Sequence, residues 1–381
     1  MNQAVKPPPL PFIDLGAQRR RLGSRIDEAI MRVVDGGAYI LGPEVKALEA
    51  ELSAFCGAAE TVTCGNGTDA LALVLMANDL RPGEAVLCPS FTFAATAEVV
   101  AWFGAVPLFV DVDETTFNMD VASLRAGLRT AAERSLKTVG VIPVDLFGHS
   151  ADYETIAPFC AEHGLWMLCD AAQSFGGSYK GRRLGTFGQA TTTSFFPAKP
   201  LGCYGDGGAI FTDDRALAET LRSLRVHGQG ADKYDNVRIG MNGRLDTIQA
   251  AILLEKLRIF EDEIELRNVV ASRYAAALGD VATVPSVAPD VVSTWAQYTI
   301  RVGAERRDAL AADLKAQGIP TAIYYPKPLH RQTAYRDFPV AGNGLPVSDR
   351  LAGEVISLPM HPYLDEATQE RIIAAVTTAL A

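Results

Sequence analysis

A lysine in an unusual setting is the first residue that could do chemistry. Lys199 is one of nine lysines, and it lies within Ser194–Ala209 among aromatic, proline and alanine residues, ahead of a glycine-rich run. An ammonium group in such surroundings loses water, which lowers its pKa and suits the amine to Schiff-base chemistry. The alternative is a surface lysine whose stem covers apolar atoms, and it leaves the glycine-rich run unexplained.

An aspartate that follows an apolar run is the second candidate. Asp170 opens the sequence Asp-Ala-Ala-Gln-Ser directly after Leu165–Cys169, which has the length and composition of a buried strand. A buried carboxylate is unfavourable unless it has a partner. That partner is either a cationic ligand, such as a protonated pyridine nitrogen, or an ordinary arginine or backbone cap. The residues alone leave both open.

A glycine-containing turn is the third candidate. The sequence Cys-Gly-Asn-Gly-Thr-Asp over residues 64–69 lies between an apolar run and a helical pattern. Glycines there let the backbone approach a ligand, and the free N–H groups of a helix start bind anions such as phosphate. Thr68 or Asp69 could equally be a plain N-cap. The turn therefore predicts either a phosphate site or an ordinary helix start.

Short apolar runs that alternate with helical patterns must position these candidates. We predict strands at Thr61–Cys64, Ala85–Cys88, Val106–Val110, Val139–Val144, Leu165–Cys169, Thr191–Phe196 and Ala209–Thr212, the last two as neighbours. We predict helices at Thr68–Asn78, Thr92–Trp102, Asp120–Leu128 and Asp152–His163. This alternation predicts an α/β fold with a mostly parallel sheet. Ligands of such sheets bind at the carboxyl ends of the strands, where all three candidates lie.

The last third of the chain has a different pattern. The predicted elements are a long helical stretch from Arg244 to about Leu278 with a break near Ile259–Glu261, a strand at Tyr298–Val302, and helices at Arg306–Gln317 and from Glu366. We predict a large domain over residues 1–260 and a smaller one over residues 261–381.

Charge and composition argue against several classes of protein. The net charge of −10 is unfavourable for non-specific binding to nucleic acid. No run approaches 18 apolar residues, so we predict no membrane span, and the first residues lack the apolar region of a secretory signal. The six cysteines form no C-x-x-C pair. We therefore expect a cytoplasmic protein with buried, reduced cysteines and no metal site.

Together these features resemble a known family. The chain is similar to the DegT/StrS family of sugar-nucleotide aminotransferases, which are fold-type I enzymes that use pyridoxal phosphate (PLP). The resemblance runs from Phe-Ile-Asp-Leu at 12–15 and Gly36–Pro43 to Tyr-Pro at 325–326 and Pro-Leu-His at 328–330. Its most specific part is the spacing of 29 residues from Asp170 to Lys199. The resemblance implies a large domain with a mostly parallel seven-stranded sheet and a smaller α+β C-terminal domain.

The resemblance also implies roles for individual residues. Lys199 would carry PLP as a Schiff base, Asp170 would bind the pyridine nitrogen, and Gln173 would reach the ring hydroxyl. The implied phosphate and ring-stacking contacts are Gly67, Thr68, Asp69, Ser194 and Phe93. Asn242 matches a residue that reaches the partner's phosphate in a homodimer with composite active sites. The candidate contacts to substrate or donor are Arg244, Tyr324, Tyr325 and His330.

The implied reaction moves an amino group from an amino acid, expected to be L-glutamate, to a keto sugar carried by a nucleotide. The stretch Lys199–Gly208 is most similar to the branch that aminates C3 of UDP-2-acetamido-3-keto-hexuronic acids, as in lipopolysaccharide and other surface-polysaccharide biosynthesis. Amination at C4 and a PLP-bound regulatory protein are the alternatives. A dehydrating branch of the family has histidine in place of the lysine, whereas this chain has Lys199.

Overall fold

Residues 10–381 are described by a computed structural model. The first nine residues, which carry part of the prediction about a secretory signal, lie outside the described residues. The helices are α1 Leu15–Leu22, α2 Ser24–Gly36, α3 Pro43–Cys56, α4 Gly67–Ala77, α5 Ala95–Trp102, α6 Val121–Glu133, α7 Tyr153–Glu162, α8 Arg215–Leu224, α9 Thr247–Leu257, α10 Phe260–Leu278, α11 Ala304–Ala316, α12 Pro346–Glu354 and α13 Glu366–Leu380. The strands are β1 Glu60–Cys64, β2 Glu84–Pro89, β3 Val106–Val110, β4 Lys137–Val141, β5 Trp166–Asp170, β6 Ser178–Tyr179, β7 Arg182–Arg183, β8 Ala190–Ser194, β9 Gly208–Thr212, β10 Val291–Val292, β11 Tyr298–Arg301 and β12 Val355–Leu358.

A seven-stranded sheet organises the first two-thirds of the chain. Its strand order is β1-β9-β8-β5-β4-β2-β3. Strand β9 is antiparallel to both neighbours, and the other pairs are parallel. Helices α4, α5 and α8 contribute to one apolar cluster on the sheet, while α6 and α7 contribute to another. The predicted α/β fold, the mostly parallel sheet and the pairing of the last two runs are confirmed.

Several predicted boundaries are wrong by a few residues. The strand predicted at Val139–Val144 is β4, which ends at Val141, because Pro143 has no N–H with which to continue the ladder. The helices predicted from Thr92 and Arg244 begin three residues later, as α5 and α9. The predicted break is confirmed between the end of α9 and Phe260. Helices α1 to α3, α8 and α12 were not predicted.

The C-terminal region has its own apolar core. Strands β11 and β12 pair antiparallel, and helices α10, α11 and α13 pack with them around Tyr274, Tyr298, Leu314, Ile356 and Val376. This is the smaller α+β unit that the resemblance implies. The division at residue 260 stays a prediction.

Three further features of the described residues concern the cysteines, membrane-spanning helices and metal sites. All six cysteines are free and buried. Among residues 10–381, no helix is both long and apolar enough to cross a membrane. Within the same range, no group of three or more His, Cys, Asp or Glu side chains is arranged to hold a metal ion.

Candidate functional site

Four neighbouring strands bring the three candidate segments to one edge of the sheet. In the register, Cys64 lies opposite Gly208, which in turn lies opposite Ser194, and Thr192 lies opposite Asp170. The turn after β1, the carboxyl end of β5 and the loop after β8 therefore meet. The last of these carries Lys199.

The turn after β1 forms an anion cradle at the start of α4. Asn66 is the N-cap, and its side-chain oxygen accepts a hydrogen bond of 2.7 Å from the N–H of Asp69. The alternative in which Thr68 or Asp69 caps the helix is therefore wrong. Among the described residues, the N–H groups of Gly67 and Thr68 have no hydrogen-bond partner. Free N–H groups at a helix start favour an anion such as phosphate.

Close packing explains the glycine in this cradle. A Cβ atom on Gly67 would lie 2.7 Å from the Cβ of Ser194, a distance that side chains do not adopt. Glycine thus lets Ser194 approach the helix start, where its hydroxyl is available to the same anion. The carboxylate of Asp69 packs against Gly65, and burial raises its pKa. The predicted part of Asp69 in phosphate binding stays a prediction.

Asp170 is buried and incompletely satisfied. The residue is 7% exposed. Its carboxylate accepts two long hydrogen bonds, one of 3.1 Å from the N–H of Ala172 and one of 3.3 Å from the hydroxyl of Thr96. Burial raises the pKa of Asp170, while Ala172, Lys199 and Thr96 act in the opposite direction. A carboxylate has about four acceptor positions. Capacity is therefore left for a cationic N–H donor.

Lys199 lies within electrostatic reach of Asp170. Burial lowers the pKa of Lys199, and the nearby Asp170 charge opposes that shift. The lysine's backbone N–H donates to the carbonyl of Phe196 at 2.8 Å, which fixes the turn that carries it. Among the described residues, its amino group makes no hydrogen bond. An amine with this lowered pKa is available as a nucleophile and a base.

Gln173 presents a donor to the site. The backbone N–H of Phe147 donates to its Oε1 at 2.6 Å, so the amide orientation is settled by the main chain. The Nε2 donor then points to the other side, where it lies 3.5 Å from the hydroxyl of Tyr325. The ring of Tyr325 is 6.5 Å from that of Phe93, which is 57% exposed. An exposed ring beside these polar groups is suited to stacking on a planar ligand.

The remaining predicted residues are only partly assembled here. His330 is occupied elsewhere, since its Nδ1 is 2.6 Å from the Ser90 hydroxyl and its Nε2 is 3.3 Å from Asp349. The Nε of Arg244 is buried and has no hydrogen-bond partner among the described residues. Tyr324 packs against the ring of Tyr325.

Asn242 is exposed and pairs through its backbone with Val226. The helix after it begins at Thr247 with Asp246 as N-cap, so the alternative in which Asn242 caps that helix is wrong.

Thr96 is a site residue that sequence reasoning missed. It lies on α5, and its hydroxyl contacts Asp170. A faint signal exists, because Thr92 and Thr96 are four residues apart near the end of β2. That spacing predicts one helix face, but it does not tell which strand end the face meets.

The features at this edge fit PLP. The cradle suits its phosphate, Asp170 its ring nitrogen, Lys199 its aldehyde, and Gln173 its ring hydroxyl, while Phe93 suits its ring face. A cavity of about 610 Å³ lined by His149, Tyr179 and others lies apart from these residues.

Comparisons with known proteins agree with this geometry. Residues 20–377 match the model of the DegT/DnrJ/EryC1/StrS aminotransferase family. The chain is 48% identical over 367 residues to a UDP-2-acetamido-2-deoxy-3-oxo-D-glucuronate aminotransferase of Pseudomonas aeruginosa, covering 96% of this chain and 99% of the relative.

Two solved structures agree as well. A DegT/DnrJ/EryC1/StrS aminotransferase from Brucella abortus is 53% identical, with a TM-score of 0.96 and coverage of 98% of this chain and 100% of that one. The NtdA protein of Bacillus subtilis, solved with the cofactor PMP bound, is 27% identical with a TM-score of 0.88 and coverage of 100% and 86%. Since sequence and fold agree over nearly the whole chain, this protein is a PLP enzyme that belongs to the DegT/DnrJ/EryC1/StrS aminotransferase family.

Proposed function

We propose that this enzyme transfers an amino group from L-glutamate to C3 of a UDP-linked 2-acetamido-3-keto sugar or its uronic acid, in the cytoplasm, for surface-polysaccharide or glycoside biosynthesis. The observation that carries this proposal is the 48% identity, over nearly both full lengths, to a relative named for that keto uronic acid. The stretch Lys199–Gly208, which resembles the C3-aminating branch, is consistent with it.

The described residues support a two-stage transfer. PLP, when bound, delocalises the electron pair that remains on carbon after a proton is removed beside the amino group. Asp170 would accept a hydrogen bond from the ring nitrogen and keep that nitrogen protonated. Lys199 would hold the cofactor through its amine and, when that amine is free, would be the base that takes up and returns the proton of the donor's α-carbon. Both halves of the transfer, from the amino acid and to the keto sugar, would use these same two side chains.

Substrate contacts are proposed where polar groups remain open beside PLP. Tyr325 presents its hydroxyl next to Gln173, and the Nε of Arg244 has no hydrogen-bond partner within residues 10–381. We assign both to the donor or the sugar nucleotide, with Tyr324 beside them. His330 is assigned an indirect role, because it contacts Ser90 in the segment that leads to Phe93.

The amino acceptor is tested in the reverse direction. The purified enzyme with PLP and 2-oxoglutarate is offered UDP-linked 3-amino sugars, with and without the uronic carboxylate, and nucleotide-linked 4-amino sugars. Formation of glutamate from a UDP-linked 3-amino sugar is expected. Glutamate formed only from the 4-amino sugars would assign the enzyme to C4 amination. Glutamate formed from none, with PLP bound, would favour the regulatory alternative.

We also propose that the working unit is a homodimer with composite sites. Helix α2 packs on α9, and the segment after α2 lies along the start of α9, where Thr247 donates a backbone hydrogen bond to Tyr39. Exposed apolar side chains gather around this surface, namely Met31, Val34, Tyr39, Ile40, Leu41 and Tyr204. Clustered apolar exposure of this kind favours a protein partner. Asn242 lies exposed nearby and would reach the phosphate in the partner's cradle.

Subunit mixing tests the composite site. Lys199→Ala and Asn242→Asp damage different halves of one shared site, the second because its added charge repels the phosphate. In a mixed dimer, one site then carries both changes and the other carries neither. Activity is expected to reappear when the two inactive variants exchange subunits. A mixture that stays inactive after exchange, or an active monomer in sedimentation, contradicts the proposal.

A further inference from the structure

A second buried carboxyl lies directly behind Asp170. Asp145 is 0% exposed, and its Oδ1 accepts hydrogen bonds from the N–H of Ala151 at 2.7 Å and the hydroxyl of Tyr153 at 2.8 Å. Its Oδ2 accepts one from the hydroxyl of Ser174 at 2.7 Å. Ser174 is the last residue of the Asp-Ala-Ala-Gln-Ser sequence. The Asp145 carboxyl thus joins the start of α7 to the segment that carries both Asp170 and Gln173.

The main chain of residues 145–148, here called the 145–148 turn, contacts the same segment. The N–H of Asp145 donates to the carbonyl of Asp170 at 3.0 Å, and the N–H of Phe147 donates to Oε1 of Gln173 at 2.6 Å. Phe147 has φ = 61°, in the left-handed region that a non-glycine residue seldom adopts. Such a conformation persists where its surroundings hold it, and it is frequent at functional sites.

The strained turn has little freedom on its other side. Gly148 has φ = 99°, and a Cβ atom there would lie 2.7 Å from the hydroxyl of Thr294. That hydroxyl in turn donates to the carbonyl of Gln173 at 2.7 Å. The backbone of Gln173 and its side-chain oxygen are therefore both held by groups that contact the 145–148 turn.

We propose that Asp145 is a positioning residue that acts through Ser174 and the 145–148 turn to fix the amide orientation of Gln173. With Oε1 held by the N–H of Phe147, the Nε2 donor would face the hydroxyl oxygen on the PLP ring. Loss of the Asp145 carboxyl frees Ser174 and lets the turn relax, so the amide loses the donor that orients it. This inference rests on the proposed contact between Gln173 and PLP.

The visible absorption band of the bound cofactor reports on that contact. A donor at the ring oxygen stabilises its negative charge and weakens its hold on the proton shared with the nitrogen of Lys199. The absorption band shifts when this proton is lost. The pH at which half of the bound cofactor has lost it, here called the midpoint, is therefore lower when the donor is present. Loss of a hydrogen bond to a charged group is expected to raise this midpoint by about one pH unit.

A double-mutant cycle on the PLP-loaded full chain tests the coupling. Gln173→Ala is expected to raise the midpoint by about one unit, and Asp145→Ala to raise it similarly. The double variant is expected to match Gln173→Ala alone, because Asp145 acts through Gln173. Asp145→Asn keeps the bonds to Ala151 and Tyr153 and can donate to Ser174, so its midpoint is expected near that of the unmodified enzyme.

Asp111→Ala is the matched control. Asp111 is also buried and follows β3, three strands away from β5 in the sheet. It accepts hydrogen bonds from the N–H of Val347 and from the N–H and hydroxyl of Ser348. Its loss is expected to lower the melting temperature without moving the midpoint.

Each result decides one question. If Gln173→Ala leaves the midpoint unchanged, the proposed contact with PLP fails, and the inference falls with it. If Gln173→Ala raises the midpoint but Asp145→Ala does not, or their effects add, the role of Asp145 alone is overturned. An equal shift in Asp145→Asn and Asp145→Ala assigns the effect to charge and also overturns it. Should Asp145→Ala not fold, Ser174→Ala is expected to give a smaller rise that vanishes without Gln173, and no rise contradicts the proposal.

Discussion

Two pairs of side chains, each an aspartate and a lysine, differ in their hydrogen bonding. The first pair, Asp170 and Lys199, lies at the edge of the sheet that forms the candidate site; the second pair is Asp145 and Lys256. At the edge, Asp170 accepts two hydrogen bonds longer than 3.0 Å, and the Lys199 amine makes none among the described residues. Asp145, by contrast, accepts three hydrogen bonds of 2.7 to 2.8 Å. On α9, the amine of the buried Lys256 donates to the carbonyl of Gly202 at 2.6 Å.

The two pairs differ in hydrogen bonding, although burial shifts the pKa of every one of these four groups. Burial raises the pKa of both aspartates, to about 7 for Asp145, and lowers the pKa of both lysines, to about 8 for Lys256. A buried polar group without full partners is unfavourable unless a ligand completes it. Asp170 and Lys199 therefore have hydrogen-bonding capacity left for a ligand, whereas Asp145 and Lys256 are hydrogen-bonded within the protein.

Lys199→Ala gives the largest expected effect. Turnover is expected to fall by more than about 1,000-fold, because the covalent link and the proton carrier are lost together. Lys256→Met is the control, since it removes a buried amine whose hydrogen bond goes to the carbonyl of Gly202, and it is expected to retain activity within about tenfold. Steady-state transamination with glutamate measures both. Comparable losses in the two variants would contradict the distinction between Lys199 and Lys256.

Asp170→Asn should have the next largest effect. A neutral amide does not hold the ring nitrogen protonated, so kcat is expected to fall by more than tenfold, about 1.4 kcal/mol in the barrier, with some PLP retained. Asp145→Asn, which keeps the bonds to Ala151 and Tyr153 and can donate to Ser174, is expected to lose only a few-fold. A decrease below tenfold in Asp170→Asn counts against the assigned contact.

The pH dependence of stability sharpens the comparison further. The raised pKa of Asp145 means that the folded protein binds a proton there more tightly than the unfolded chain does. Its contribution to stability is therefore full at low pH and is lost as pH rises from about 4 towards 7. The groups around this carboxyl are the same in the unmodified enzyme and in Asp145→Asn, namely Tyr153, Cys169, Asp170 and Ser174.

Asp145→Asn has no such loss, so its melting temperature relative to the unmodified enzyme is expected to rise between about pH 5 and about pH 8. The gain is expected to be about 2 °C or more by thermal unfolding. A difference independent of pH would show that the carboxyl is already ionised without penalty.

The sequence predicts what depends on local pattern and misses what depends on long-range pairing. Buried strands such as β3 are recognisable because a short apolar run bounded by turns has few other structures available. Lys199 and Asp170 are recognisable because their types conflict with their apolar surroundings. Asp145 was not predicted, since a carboxylate near a turn is ordinary in sequence and only the fold shows its three partners. The sequence names Thr68 or Asp69 as possible caps but not Asn66, because several residue types that favour the cap position occur together there.

Thr96→Val gives the smallest expected effect and tests the same comparison at one bond. The change keeps shape and removes the hydroxyl that donates to Asp170 at 3.3 Å. A long bond of this kind is expected to contribute about 0.5 to 1.5 kcal/mol, so kcat should fall by roughly two- to tenfold. Thr92→Val is the control, because its hydroxyl contacts Thr96 at 3.5 Å and not the carboxylate.

The direction of a second readout separates this role from packing. The Thr96 hydroxyl lowers the pKa of Asp170, so its loss raises that pKa and weakens the hold on the ring proton. The loss of kcat in Thr96→Val is therefore expected to be larger at low pH, where Asp170 begins to take up a proton, and smaller at high pH. If the loss is the same at every pH, Thr96 acts through packing alone, and Asp170 is held at the edge by its backbone contact with Ala172.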